Sequence, residues 1–157
     1  MFGETPSNTD LKNGSAFSGD QRDILDAICE SLGYDSYFAT NFVACRPSKP
    51  PIYAEYVENC MLAHVAPYLR RVAPNVHSVI LFGRNTYNIA EKYIMAPTIA
   101  SYEPGKRVGI LLFNKHVDVY SLYHPSSLVF GKITIEEYKK QIADVKELIE
   151  RRRRLHG

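Results

Sequence analysis

The 157-residue sequence is poor in cysteine, in net charge and in long apolar runs. Its three cysteines, Cys29, Cys45 and Cys60, form an odd count without a secreted-domain pattern. That argues against a disulfide framework and leaves reduced thiols or metal ligands. No stretch approaches the roughly 20 consecutive apolar residues of a membrane span. The opening "MFGETPSNTD" has neither a basic n-region nor an apolar h-region. The chain therefore reads as soluble and cytoplasmic, with no membrane partner. Nineteen Lys and Arg against 17 Asp and Glu leave a net charge of +2, too little for a whole-chain field, so attraction to a polyanion has to come from local patches. The clearest patch is Arg151 to Arg154. It is either a solvated helix C-terminus, where cations are favoured, or a phosphate-contacting tail. No internal repeat is present.

What remains is ordinary globular composition, 45% apolar and 23% charged, in a length that suits one domain over residues 1–157. Gly3 to Gly19, "GETPSNTDLKNGSAFSG", has no sustained apolar period and reads as a loop. Asp20 to Leu32 carries Ile24, Leu25, Ile28, Cys29 and Leu32 at helical spacing, with Gly33 as the stop. Cys29, on that apolar face, reads as a small core residue. Ser36 to Ala44, "SYFATNFVA", is aromatic and β-branched and predicts a buried strand, ended by the prolines of "CRPSKPPIY". Tyr53 to Val72 predicts a long helix that Pro67 kinks or divides.

Val76 to Phe82 predicts a second buried strand, and Gly83 turns it into another helix. Residues 107–113 and 117–123 are strand-like. Thr134 and Glu137 have capping-box spacing at the head of a C-terminal helix over 134–154. This alternation predicts an α/β fold: a three-layer α/β/α domain with a mainly parallel central sheet of about four strands. Ligands of such sheets sit beyond the carboxyl ends of the strands. Asn41, Gly83 and His124 fall at those ends, and the opening loop joins them there. His124 precedes Pro125, which biases it toward extended geometry and holds an imidazole at the strand exit. His64, His77 and His116 have no companion motif and read as structural or exposed.

Taken in order, "GETPSNTDLKNGSAFSG", "TNFVACRP", the cysteine of "VENCM", "VILFG" and "YHPSSL" resemble the motifs of the uracil-DNA glycosylase superfamily, most closely its family 4, the iron-sulfur type. The resemblance covers nearly the whole chain. It implies an enzyme that flips uracil out of DNA and hydrolyses its N-glycosidic bond in base excision repair. It implies that Phe17 stacks on the base and that the Asn41 amide reads its Watson-Crick edge. His124 would donate to O2 as negative charge moves onto the ring. Ser126 or Ser127 would hold a phosphate. Glu4, with Asp10 as the second candidate, would orient the attacking water. Thr5 and Ser7 replace alanine and glycine of the family's opening motif, and Ser7 is expected to crowd the substrate.

Family 4 members hold a 4Fe-4S cluster with four cysteines. Cys45 and Cys60 match the second pair, and the first pair has no counterpart. Two thiolates cannot complete the cluster. The expectation is therefore no cofactor, with a 4Fe-4S cluster only if further ligands come from a missing segment or a partner. The strand leading into the opening loop is likewise expected to be reduced to Met1 and Phe2, leaving a gap that calls for a partner chain to complete it. The partner implied by the resemblance is uracil-containing DNA. The rival reading is a catalytically silent glycosylase-fold module, or a split fragment, that binds DNA or a protein.

Overall fold

The computed structural model describes residues 1–4, 6–43, 53–111 and 116–156. Six strands form one sheet in the order β2-β1-β3-β6-β5-β4: β1 (Phe2–Gly3), β2 (Thr40–Asn41), β3 (Ser78–Phe82), β4 (Met95–Pro97), β5 (Arg107–Leu111) and β6 (Val117–Leu122). The first four in that order run parallel. The last two are antiparallel to their neighbours. Helices α1 (Asn8–Asn13), α2 (Asp20–Ser31), α3 (Tyr53–Cys60), α4 (Ala66–Val72), α5 (Arg84–Tyr93), α6 (Pro125–Val129) and α7 (Ile135–His156) complete the described chain.

Strand alternation builds the two cores. Val79 and Leu81 of β3, with Val117 and Val119 of β6, face Val57, Leu69 and Ala90 on one side. Ile80, Phe82, Tyr120 and Leu122 face Leu25, Ile28, Val145 and Ile149 on the other. Period-two burial in both central strands is what places helices on both faces.

The expected sheet of about four strands is thus six. The strand expected over residues 36–44 contracts to Thr40–Asn41, because its partner β1 offers only Phe2 and Gly3 to pair with. β5 turns antiparallel because five residues separate it from β6, far fewer than a parallel crossover needs. β4, with Pro97 at its end, is a short edge strand that was not expected. The helix expected over 53–72 does not break at Pro67. Met61–Val65 forms a π turn in which the Ala66 N–H reaches the Met61 carbonyl. This widened turn immediately before Pro67 accommodates the ring and the missing donor. The Thr134 capping box forms as expected, with Thr134 N–H on Glu137 at 2.8 Å and Glu137 N–H on Thr134 Oγ1 at 3.1 Å.

Candidate active site at the carboxyl rim of the sheet

All four parallel strands end on one rim, and four of the expected residues stand there. Glu4 follows β1, Asn41 closes β2, and His124 follows β6 by two residues, beside the Gly83 turn of β3. Gly83 has φ +90, so it is the left-handed backbone of this turn, beside His124, that calls for glycine.

The loop expected over Gly3–Gly19 contains a helix. Ser7 caps α1: its Oγ accepts the Asp10 N–H at 3.1 Å, and Asp10 Oδ2 accepts the Ser7 N–H at 3.1 Å. The S-x-x-D spacing of Ser7 and Asp10 is the sequence signal for this box. Ser7 has φ −76, an ordinary value for any residue, and its side chain is turned to Asp10. The expected crowding by Ser7 therefore finds no support in its geometry. The other Asp10 oxygen accepts the Ser18 N–H and the Ser18 hydroxyl, both at 2.8 Å. Burial opposes the charged form of Asp10, but the hydrogen bonds from Ser18, Ser7 and Phe17 outweigh it and hold the carboxyl below its usual range. Asp10 spends both oxygens tying the loop shut.

That tie constrains Phe17, the one non-glycine residue with positive φ (+52) among the described residues. An aromatic residue in the left-handed region is strained, and such strain persists only where surrounding bonds enforce it. Here Asp10 gathers the backbone on either side of the ring. Phe17 stacks against His124 with ring centroids 6.0 Å apart and meets Phe82 edge-on at 5.6 Å.

Asn41 joins the same cluster through Gly3. A Cβ built on Gly3 would come within 2.5 Å of Asn41 Oδ1 and 2.6 Å of Phe17 Cζ. The amide and the ring both press on a backbone that only glycine leaves free. Asn41 Oδ1 is buried without a hydrogen-bond partner among the described residues, an unusual condition for a carbonyl oxygen and a costly one. Gly3 was not singled out from the sequence; its position before Glu4 carries no signal until the neighbours are known.

His124 caps α6, accepting the Ser126 N–H on Nδ1 at 3.1 Å, with Ser126 Oγ 2.8 Å away. An Nδ1 that accepts a backbone N–H leaves the ring proton on Nε2. Burial pushes the imidazole below its usual pKa, against the pull of Asp10. The ring is thereby held neutral with its proton on Nε2. Ser127 N–H bonds the His124 carbonyl at 2.9 Å, and its side chain stays half-buried. Glu4 is half-buried at the end of β1, and its carbonyl accepts the Val43 N–H at 2.9 Å.

The cluster is closed: Phe17 keeps 1% of its surface and Asn41 6%. A cleft of about 290 Å³ between β2 and the π turn, with His64, Tyr68 and Arg71 among its walls, reaches Asn41 from the side.

The rim carries a neutral imidazole stacked on an aromatic ring, an amide oxygen without a partner among the described residues, and the Glu4 carboxyl group at the end of β1. The Uracil DNA glycosylase superfamily model matches residues 1–146. The chain belongs to the uracil-DNA glycosylase superfamily. It is 27% identical over 153 residues to the Type-4 uracil-DNA glycosylase of Archaeoglobus fulgidus, covering 94% of this chain and 75% of that protein. Family membership makes it a glycosylase-type hydrolase with DNA as the macromolecule it binds.

For a glycosylase resembling family 4, the fit of an iron-sulfur cluster can be tested on the thiols. Three cysteines in the whole sequence cannot supply four thiolates. Cys60 is packed in the apolar core. Cys29 points its thiol at the Tyr34 carbonyl, 3.3 Å away. Cys45, like Thr5 and the proline cluster after it, lies outside the described residues. No group of three or more metal-ligating side chains occurs among the described residues. The chain's own residues do not fit the cluster, and no step of the chemistry is derived through it.

The arginine run sits at the opposite end of the sheet. Arg152 and Arg107 both bind Asp118, with Nε···O distances of 2.8 and 2.7 Å, and Arg153 lies 4.8 Å over the Tyr34 ring. Asp118 precedes His124 by six residues of strand and exit, roughly 20 Å.

Proposed function

We propose that this glycosylase hydrolyses the N-glycosidic bond of a uracil flipped out of DNA, with water as nucleophile and no cofactor. The observation that carries the reading is Asn41 Oδ1, a buried acceptor without a donor among the described residues, across Gly3 from the Phe17 ring that stacks on His124. Uracil offers the missing donor at N3–H, and the other end of the carboxamide suits its O4; cytosine, with an acceptor at N3, leaves the oxygen orphaned. As the bond between N1 and C1′ breaks, its electron pair moves into the ring and onto O2. The neutral imidazole of His124 donates Nε2–H there, and because Ser126 fixes the ring beforehand, little reorganisation is needed. The Glu4 carboxylate orients water toward C1′, stabilises the cationic sugar and takes the water's proton. Asp10, saturated with donors, acts by positioning Phe17. The Ser126 hydroxyl steadies the imidazole, which leaves Ser127 for a phosphate of the flipped nucleotide.

Because the cluster is closed, the base displaces the Asp10-tied loop as it arrives. Phe130, 75% exposed, and Val129 stand just beyond the catalytic histidine. They suit an apolar wedge for the stack that the base leaves. The closed cluster also carries a second reading, a glycosylase-fold module that binds DNA without excision. Cleavage of a single-uracil oligonucleotide, with abasic-site detection, separates the two. The enzyme reading expects release by the wild type and loss in Asn41→Ala and His124→Ala. Wild-type release no faster than either variant, with DNA binding intact, leaves the silent module.

A further inference from the structure

His124 is held from its backbone as well as through its ring. β6 ends at Leu122, paired with Phe82 of β3, so Tyr123 and His124 lie beyond the ladder and their backbone groups need other partners. The Leu122 carbonyl accepts the Gly83 N–H at 3.0 Å and the Tyr102 hydroxyl at 2.9 Å. At Tyr123, helix α7 takes over. Gln141 Oε1 accepts the Tyr123 N–H at 3.3 Å, and the Tyr138 hydroxyl donates to the Tyr123 carbonyl at 2.9 Å. Side chains at i and i+3 share a helix face, so one face of α7 grips both polar groups of one residue. Tyr138 and Gln141 bond where a neighbouring antiparallel strand would.

That grip is built from local features of α7. The Thr134 capping box sets the register of the helix one turn before Tyr138, whose N–H bonds the Thr134 carbonyl at 3.1 Å. Tyr138, Val145 and Ile149 form the buried stripe of the helix. The Tyr138 ring lies in the same core as Phe17, Phe82 and Leu122. A phenylalanine would fill that volume as well; only the hydroxyl reaches the backbone at the strand exit. Burial pushes the phenol above its usual range, and Tyr102 adds to the shift. The hydroxyl therefore stays protonated and remains a donor.

We propose that Tyr138 is a positioning residue for His124, acting through the peptide between Tyr123 and His124. The Tyr123 carbonyl and the His124 N–H belong to one planar unit, so a donor fixed on the carbonyl fixes the plane from which the imidazole projects. Ser126 then orients the ring, its N–H lying 3.1 Å from Nδ1. The two bonds settle different torsions, the backbone by Tyr138 and the side chain by Ser126. Without the hydroxyl, the Tyr123 carbonyl loses its donor and the peptide tilts. Nε2 then moves from the place where charge develops on O2. A misplacement of about 1 Å costs on the order of 10²-fold in rate, and a partial tilt costs less. This role rests on the reading of His124 as the donor to O2. A tyrosine that served the core alone would, on losing its hydroxyl, cost stability and leave the chemistry unchanged.

The test is a double-mutant cycle on uracil release, with Tyr138→Phe made in the wild type and in His124→Ala. In the wild type, Tyr138→Phe is expected to lower kcat about tenfold with KM unchanged, because the hydroxyl acts on the donor and not on bound DNA. In the His124→Ala background it is expected to cause no further loss. Gln141→Ala, at a half-buried position, is expected to lower kcat about twofold with the same dependence on His124, and it carries the test if Tyr138→Phe does not fold. Equal losses in the two backgrounds, or a rise in KM with kcat unchanged, overturn the proposal. Nitrogen NMR of the His124 ring needs no release and so separates this role from the excision reading. The wild type is expected to show two well-separated ring signals, those of a single Nε2–H tautomer, and Tyr138→Phe the converging signals of mixed tautomers. Identical spectra overturn the positioning role. Mixing in the variant, alongside a wild type that releases no uracil, supports the positioning role and sinks the excision reading alone.

Discussion

The two ends of the parallel sheet are built to opposite rules. At the carboxyl rim, side chains crowd a glycine backbone until nothing larger than hydrogen fits, and a polar oxygen is left without a partner among the described residues. At the amino end, apolar walls enclose an unfilled slot, while polar groups nearby are paired, Asp118 with two arginines and Tyr34 with Ser78. Native packing normally satisfies polar atoms and fills apolar space. The rim violates the first rule, the slot the second. Substitutions at the rim should therefore change chemistry with modest loss of stability, and those at the amino end should do the reverse.

The largest separation is expected from Asn41→Ala and His124→Ala, each slowing uracil release by roughly 10²–10³-fold, as for loss of one preorganised transition-state donor or reader. Unfolding midpoints should stay near wild type, which differential scanning calorimetry would read. Gly3→Ala should come next and blur the division. Its Cβ meets both Asn41 and Phe17 at under 3 Å, so release and stability should fall together, the latter by about 1–3 kcal/mol. Asp10→Asn should loosen the ring without removing it, lowering release by about tenfold and stability by about 1 kcal/mol.

On pH, the sign follows from burial. The folded His124 pKa lies below 6.5, so the stability gained by a neutral imidazole is fully present above pH 6.5 and is lost as pH falls through the lower folded value. Release should keep its plateau below pH 6.5 and then decline on the acid side, as a rate profile would show; a decline centred at or above 6.5 would contradict the buried, neutral ring. Arg152→Ala should cost about 1 kcal/mol or less, with release unchanged, since Asp118 keeps Arg107. The smallest effect is expected from Arg151→Ala with Arg154→Ala. Roughly 20 Å of strand separates the Asp118 end from the rim, so the salt dependence of DNA binding should not change. A shallower slope would restore the phosphate-contacting tail.

Much of the rim was legible because its signals are local. His124 is fixed by the proline after it, Asn41 by the β-branched and aromatic run around it, and Phe17 by its motif. The amphipathic helices and the Thr134 box were legible for the same reason. What was not legible depends on partners far along the chain. β2 is short because β1 is short, and β5 runs antiparallel because of its link to β6. Gly3 matters only once Asn41 and Phe17 arrive from 38 and 14 residues away. The π turn before Pro67 required knowing that the helix would stay whole. The α1 capping box was the exception: Ser7 and Asp10 carried its spacing, but the run of Gly, Ser and Asn around them read as loop.

The central claim, that Asn41 Oδ1 waits for the N3–H of a pyrimidine, is tested most directly by comparing release of uracil with release of 3-methyluracil from otherwise identical oligonucleotides. The methyl group removes the donor and leaves the buried oxygen unpaired, so release should slow by about 10²-fold or more in the wild type and show little discrimination in Asn41→Ala. Equal release of the two bases by the wild type would contradict it.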